Sequence, residues 1–539
     1  MFKWLFNGTE IQEGSHFIGT GTTNLVVNSL EPTDAGTYQL IASNAFGVAT
    51  SPGLRINVHC VDRAGSLSLA PYTNWFTAAT NIQDAIDIAG IGDFVLVTNG
   101  IYSGGGKVVT GSVTNRVAIT KPVTVSSVNG AGVTVIEGAF DPSTNGPLAV
   151  RGAWLVDGAT LAGFTLRNGA TRTSGAQPNS YGGGVYCSST NPVIIDCVIS
   201  NNAAQNGGGC YVGTLARCFL LNNRAAQSGG GIYSSIADSC LLDGNSALSR
   251  GGGAASATLN NCTVIRNSAG LGGGISEIGK ATNCIIYFNT ATTSGSTSSA
   301  NWLTSALITI SSCCTIPLPT GAGNISIDPQ FVDGMHLSVT SPCRNAGVAG
   351  YRPGTDLDGE LWMNPPSMGC DEVYESANTG PLLVGLSAPW PEVAAWGTLP
   401  LTGQIGGRAS RITWSFGDGS PAANASFLAS HMWTNPGDYT VTFTAFNLDN
   451  LSGVSTNLLI HVVPLQAPSL SPAGLNAGTI FSLSFQGQAG VTYIVEQTTN
   501  LQSPVVWQPV VTLSSAGNLM QVTDSKATNS SRFYRVRSQ

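Results

Sequence analysis

Between residues 182 and 291 the chain repeats with a period near 22: glycine triplets begin at Gly182, Gly207, Gly229, Gly251 and Gly272. Between and beyond them stand Cys197, Cys218, Cys240, Cys262 and Cys284. Five positions after each cysteine comes an asparagine, Asn202, Asn223, Asn245, Asn267 and Asn289, and two positions later an alanine. Two positions after each cysteine is an aliphatic residue, Ile199, Leu220, Leu242, Val264 and Ile286. A fixed period of this size indicates a solenoid. Inside each repeat the cysteine and the aliphatic alternate with variable residues, which is strand spacing and not helix spacing. A repeat this short cannot hold two packed helices, so each is a coil of short strands and turns stacked about 4.8 Å from the next. The expected fold is a parallel β-helix with cysteine and aliphatic rows pointing inward. The asparagines would bond to one another across coils, and the glycines would sit where the chain needs positive φ or tight curvature. Asn168, five residues after Gly163, is expected to belong to the same asparagine row one coil earlier.

At 539 residues the chain has room for several domains. Charged residues make up only 9% and the net charge is −7, which argues against the clustered basic surface of a nucleic-acid binder. Apolar content of 42% is too high for disorder, and no run of 18 apolar residues suggests a membrane span. Abundant Gly (67 residues) with few charges favours turn-rich β-structure.

The segments around the repeat carry further signals. "NWFTAATNIQDAIDIAGIGDFVLVTNGIY" reads as an amphipathic helix (Ile82, Ala85, Ile86, Ala89) followed by a strand from Phe94 to Val97. It resembles the N-terminal cap of right-handed parallel β-helix proteins, which shields strand edges at the open end of such a core. "IDPQFVDGMHLSVTSPCRNAG", "TDLDGELW" and "SMGCDEV" resemble the closing segment of bacterial surface β-helix proteins, and the triplet-plus-Asn repeats are similar to those of polymorphic outer-membrane proteins. Upstream, Asp34-x-Gly36-x-Tyr38 followed by "ASNAFG" resembles the tyrosine corner and last hairpin of an immunoglobulin-like domain, with Trp4 as its core tryptophan. Strands expected ahead of Trp4 are missing from that pattern, so the chain is expected to be the C-terminal part of a longer protein whose signal peptide lies upstream. Downstream, Trp414, Phe416, Gly417, Asp418, Gly419, His431, Gly437, Tyr439, Val441 and Asn447 match the pattern of a PKD domain. The last stretch resembles the C-terminal β-sandwich of large exported bacterial proteins. The expected class is therefore all-β: a right-handed parallel β-helix solenoid (61–376) flanked by a truncated immunoglobulin-like domain (1–59), a PKD domain (380–465) and a C-terminal sandwich (467–539).

Function is less sharply marked. The ladder cysteines read as small buried hydrophobes, because equivalent side chains on adjacent parallel strands point the same way and suit a disulfide poorly. Cys343 and Cys370, both in the closing segment, are the expected disulfide. The best outward polar cluster is Asp196, Arg217 and Asp243, the candidate catalytic set, whose structural alternative is a surface ion pair. No histidine lies between His59 and His336, which excludes histidine catalysis in the coils. Asp356, Asp358 and Glu360 of "TDLDGE" are the calcium candidates, with a structural turn as the alternative. Asp418 and His431 are expected to be structural. A string of β-modules with a solenoid face rich in Ser, Thr, Asn and Tyr suits a secreted or cell-surface, non-catalytic adhesion or polysaccharide-binding protein. It would be monomeric, would bind a cell-surface glycan, and would not bind nucleic acid. The alternative is a polysaccharide lyase or glycosidase acting in a β-helix groove, with the other modules as accessories.

Overall fold

The computed structural model describes residues 1–539 except 142–145, 147, 278, 294–299, 304–307, 351–353, 421–425, 472–473, 477–479 and 526–530. It divides into two compact units, 1–327 with 343–372, and 328–342 with 373–539.

The first unit is a parallel β-helix preceded by a small β-module. One coil shows the plan: Ile232–Tyr233, Ile236–Asp238, Leu241–Asp243 and Ser246–Arg250 are four short strands, and each joins a different parallel sheet. Those sheets hold seven, ten, nine and five strands. Coils stack in strict register, with Leu220 opposite Leu242, Val264 and Ile286 in successive turns. The five ladder cysteines and these aliphatics are all fully buried in one continuous core. Each thiol points back to the carbonyl two residues earlier, as Cys240 does to Asp238 at 3.2 Å. Burial pushes the Cys197 thiol up to about 12, so it behaves as a core group and not as a nucleophile.

The asparagine row is the polar counterpart of that core. Asn223 donates from Nδ2 to Asn245 Oδ1 (3.0 Å) and to the Ile199 carbonyl of the coil before (2.8 Å). Its backbone N–H donates to the same Asn245 Oδ1 at 2.9 Å. The pattern recurs from Asn202 to Asn289 and continues to Asn301, whose Oδ1 accepts from both the Nδ2 and the N–H of Asn289. Asn301 is a rung that the sequence spacing hides, because it lies only 12 residues beyond Asn289. At the other end, Asn168 is not a rung. It sits in the left-handed region (φ 56°) in the turn and bonds Glu137, while the Gly169 N–H donates to Asn202 Oδ1. The row thus starts one residue later in the coil than the spacing suggests.

The glycine triplets answer two separate constraints. The first glycine of each has positive φ, between 60° and 69°. The second and third lie so close to the next coil that a methyl group would collide with backbone: at Gly230 it would stand 2.4 Å from the carbonyl oxygens of Gly252 and Ser246.

The cap helix, Ile82–Ile88, begins at Asn81, which accepts from the Gln83 N–H, and buries Ile82, Ala85 and Ile86 on the core. Gln83 also closes the first edge of the seven-stranded sheet, accepting from the Ala118 N–H at 2.7 Å and donating to its carbonyl at 3.1 Å. On that sheet, Trp154, Tyr186, Tyr211 and Tyr233 stack coil upon coil. Beneath them Arg151 is fully buried, bonded to Asn115 and to the carbonyls of Gly182, Pro178 and Tyr181. It fastens the insertion before Gly182 to the coils.

Several boundaries differ from the sequence reading. Val58–Val61 pairs in parallel with Phe94–Val97, so the solenoid sheet already begins at Val58, inside the segment assigned to the immunoglobulin-like module. That module has a five-stranded sheet and a two-stranded ribbon. Its tyrosine corner is formed, with the Tyr38 hydroxyl donating to the Asp34 carbonyl at 3.0 Å, but Trp4 is only half-buried and is no core residue. Residues 328–342 leave the solenoid and join the second unit, where the Phe427 N–H donates to the Phe331 carbonyl and the Val339 N–H to that of Ser410. The chain returns at Cys343 to lay the closing segment on the nine-stranded sheet, with the Cys370 N–H donating to Thr263 Oγ1. Cys343 and Cys370 are both buried thiols and form no disulfide, although the Met368 N–H reaches the Cys343 carbonyl.

The second unit contains three- and four-stranded sheets around Trp414, Phe443 and Trp433, followed by a sandwich of two three-stranded sheets around Phe485 and Tyr493. Among the described residues, no helix is long and apolar enough to cross a membrane.

Replacing Asn245 by Ala removes the acceptor for two Asn223 donors and the donor for the Leu220 carbonyl. We expect a loss of about 3 kcal/mol, read as a lower urea midpoint.

Candidate functional site

The expected catalytic cluster does not assemble. Asp196 and Arg217 occupy equivalent turn positions in adjacent coils, both in the left-handed region. They form a two-pronged pair, with Arg217 Nε and Nη2 donating to Asp196 Oδ1 and Oδ2 at 2.8 and 2.9 Å. Asp243 is at the far end of its strand and pairs instead with Arg266, whose Nε reaches Asp243 Oδ1 at 2.7 Å. These are two separate inter-coil ion pairs, each holding a turn to its neighbour. Half of the Asp196 side chain is exposed, so the pair contributes under ~1 kcal/mol.

The "TDLDGE" acids do converge. Asp356, Asp358 and Glu360 offer carboxylate oxygens within 4.8 Å of one another, and Asp371, which the sequence reading missed, joins them. Asp371 lies eleven positions after Glu360, so no local spacing rule connects it; the return of the closing segment does. Asp356 is fully buried, with Oδ1 accepting from the Glu360 N–H and Oδ2 from the Glu372 N–H. Those two bonds tie its carboxylate to the turn and to the returning segment. Burial, reinforced by the Asp358 carboxyl, pushes Asp356 up to about 7. An all-oxygen set of this kind fits a hard cation such as calcium.

Asp418 and His431 meet in the second unit at 2.8 Å, with the imidazole stacked on Phe416 at 4.0 Å. Burial opposes ionisation of Asp418, but hydrogen bonds from Ser420 and His431 outweigh it and hold the carboxyl at about 2. The arrangement braces the "FGDGS" turn.

The outward face of the ten-stranded sheet has a different character. Thr124, Thr160, Val193, Thr214, Ile236, Thr258 and Lys280 lie in register, one per coil, each half-buried or exposed. Most are short and carry a hydroxyl or only apolar carbon. At its N-terminal end this face opens into a cleft of about 470 Å³ bounded by Trp75, Phe94, Ser126 and Glu31. The sequence analysis expected a solenoid face rich in Ser, Thr, Asn and Tyr but singled out neither this row nor the cleft, since the variable positions of a repeat carry no pattern of their own.

Residues 386–461 match the PKD domain family. No curated protein matches the chain. Among solved structures, the chain is similar to pectate lyase Pel9A, at 11% identity and TM-score 0.36, over 59% of this chain and 96% of that one. It is also similar to carbohydrate-binding modules of the β-sandwich superfamily (10% identity, TM-score 0.15, over 30% of this chain and 96% of that one). A third is the fibronectin(III)-like modules of Clostridium thermocellum CbhA, at 12% identity and TM-score 0.17, over 29% and 85%.

Because the folded Asp418 carboxyl titrates below its unfolded value near 3.9, the stability it adds is complete above pH 4 and lost as pH falls toward 2. Asp418→Asn should therefore lower the unfolding temperature of the chain at pH 6, and the gap from wild type should narrow as pH falls below 4 and close only below the folded value of about 2.

Proposed function

We propose that this chain is an exported, extracellular protein that binds a polysaccharide without cleaving it, using the outward face of the ten-stranded sheet. The observation that carries this reading is the in-register row from Thr124 to Lys280. One outward side chain recurs at every coil, about 4.8 Å apart, and four of the seven are threonines. A linear glycan laid along such a row meets the same weak contact many times, and repeated weak contacts sum to useful affinity. The threonine hydroxyls and the Val193 and Ile236 carbon on this face suit sugar rings, which have apolar C–H faces and hydroxyl edges. The alternative, a lyase or glycosidase, would need a base beside acids on this scaffold. The charged residues offered for that role are instead engaged in the ion pairs Asp196–Arg217 and Asp243–Arg266.

The test uses the whole chain with neutral and acidic polysaccharides, following both binding and the release of unsaturated or reducing ends. We expect binding with no release. Release that disappears in Arg217→Ala would overturn the reading in favour of catalysis.

We further propose that the Asp356, Asp358, Glu360 and Asp371 group holds calcium as a structural ion pinning the closing segment. Calcium at a hundred times its Kd would add about 2.7 kcal/mol of stability, raising the unfolding temperature relative to the chelated protein. Asp371→Asn should abolish the increment, and an equal increment in that variant would refute the site.

A further inference from the structure

The cleft at the N-terminal end of the sheet face has walls from three parts of the chain. Its floor is the start of the proposed glycan face: Thr124 and Ser126 lie directly beside Phe94 and Leu96 in the neighbouring strand. One wall is Trp75, at the start of a 3-10 turn whose preceding Asn74 accepts from the Thr77 N–H at 3.0 Å. Trp75 remains 36% exposed. The opposite wall is Ser29 to Glu31 of the β-module. Asp34 holds that wall: Oδ2 accepts from the Glu31 N–H at 2.8 Å, Oδ1 meets His16 at 2.9 Å, and its carbonyl takes the Tyr38 hydroxyl. Both walls are therefore fixed before any ligand arrives, which lowers the ordering cost of binding.

Its volume of about 470 Å³ falls within the range of small-ligand sites. Its chemistry is that of a sugar ring. Trp75 and Phe94 present aromatic surface suited to an apolar pyranose face, while Thr124 and Ser126 offer hydroxyls to its edge. Glu31 is the one charged residue lining it, and the chain as a whole carries −7, so an anionic sugar is disfavoured. The row of small residues leads into the cleft at Thr124. Beyond Phe94 the sheet ends at Val58–Val61, where the 3-10 turn Pro32–Asp34 packs against it. A polymer lying along the face is stopped there.

We propose that this cleft is a chain-end subsite: it takes the terminal residues of a neutral pyranose polysaccharide, with Trp75 as the stacking platform and Glu31 and the hydroxyls fixing orientation. The proposal rests on the glycan-binding reading of the sheet face and adds the site and the charge class of the sugar.

The test titrates the full chain with cello-, manno-, xylo- and laminari-hexaose and with a hexagalacturonate, and measures binding of the matching long polymers. Wild type should bind at least one neutral hexasaccharide and prefer it to the acidic one. Trp75→Ala should weaken that binding about tenfold or more, while Trp75→Phe keeps most of it. Binding of the long polymer to Trp75→Ala should persist through the rest of the face. Unchanged hexasaccharide affinity in a folded Trp75→Ala variant would overturn the subsite and leave the face reading intact. Binding of only the hexagalacturonate would overturn the assignment to neutral sugars. No binding of any polymer or oligomer by wild type would overturn the parent reading itself.

Discussion

Each coil of this solenoid must bury a turn, and a buried turn leaves backbone groups that water can no longer satisfy. The asparagine row resolves that demand. Each rung from Asn223 to Asn301 accepts at its side-chain oxygen from two donors of the rung before it. It spends its amide on the rung ahead and on a carbonyl behind, as Asn223 and Asn245 show. Because the bonds run between equivalent residues, they hold only when the coils stand in register. A slip of one residue would break the whole row and turn every inward cysteine and aliphatic outward. Register, core and turn are therefore set by one repeated contact.

The glycine triplets follow from the same constraint. Rungs that bond at about 3 Å draw the coils together, and at Gly230 the gap is too narrow for a methyl group. The alanines two positions after each asparagine, Ala225, Ala247 and Ala269, form their own small cluster in the tight corner that results. Buried polar and small residues thus do in this fold what large apolar side chains do elsewhere, which is how a chain with so few charges and so much glycine keeps a continuous core.

Stacking also governs what happens outside. Side chains at or next to an equivalent position are brought close to those a coil away, so charged residues some 21 to 23 apart become ion pairs, as with Asp196–Arg217 and with Asp243 and Arg266, one residue past its register partner Ile265. Threonines at such positions, with Val193 and Ile236 between them, become a row one coil apart. The same rule pairs the outward charges Asp196 with Arg217 and Asp243 with Arg266. Where the repeat ends, at the cap and the β-module, the regularity breaks and a shaped cleft appears.

Much of the architecture was legible in the sequence because it repeats. Period, strand spacing and the inward cysteine row follow from positions recurring every 22 or so residues, and the cap helix and the PKD pattern are local. What could not be read was whatever depends on contacts between unlike segments. Asn301 completes the ladder across an irregular spacing, and Asn202 begins it, taking the Gly169 N–H while Asn168 bonds Glu137 in the turn. Asp371 joins the acidic group only when the closing segment folds back, and Asp243 finds Arg266 because coil stacking, not sequence proximity, selects its partner. Cys343 and Cys370 share one segment yet remain separate thiols. The sequence by itself determined the solenoid, since a repeated local pattern has one way to satisfy its own turns and core. Only the tertiary structure decided where the charges pair, where the chain leaves and rejoins the coils, and where Trp75 meets the sheet face, because those depend on distances between residues far apart in the chain.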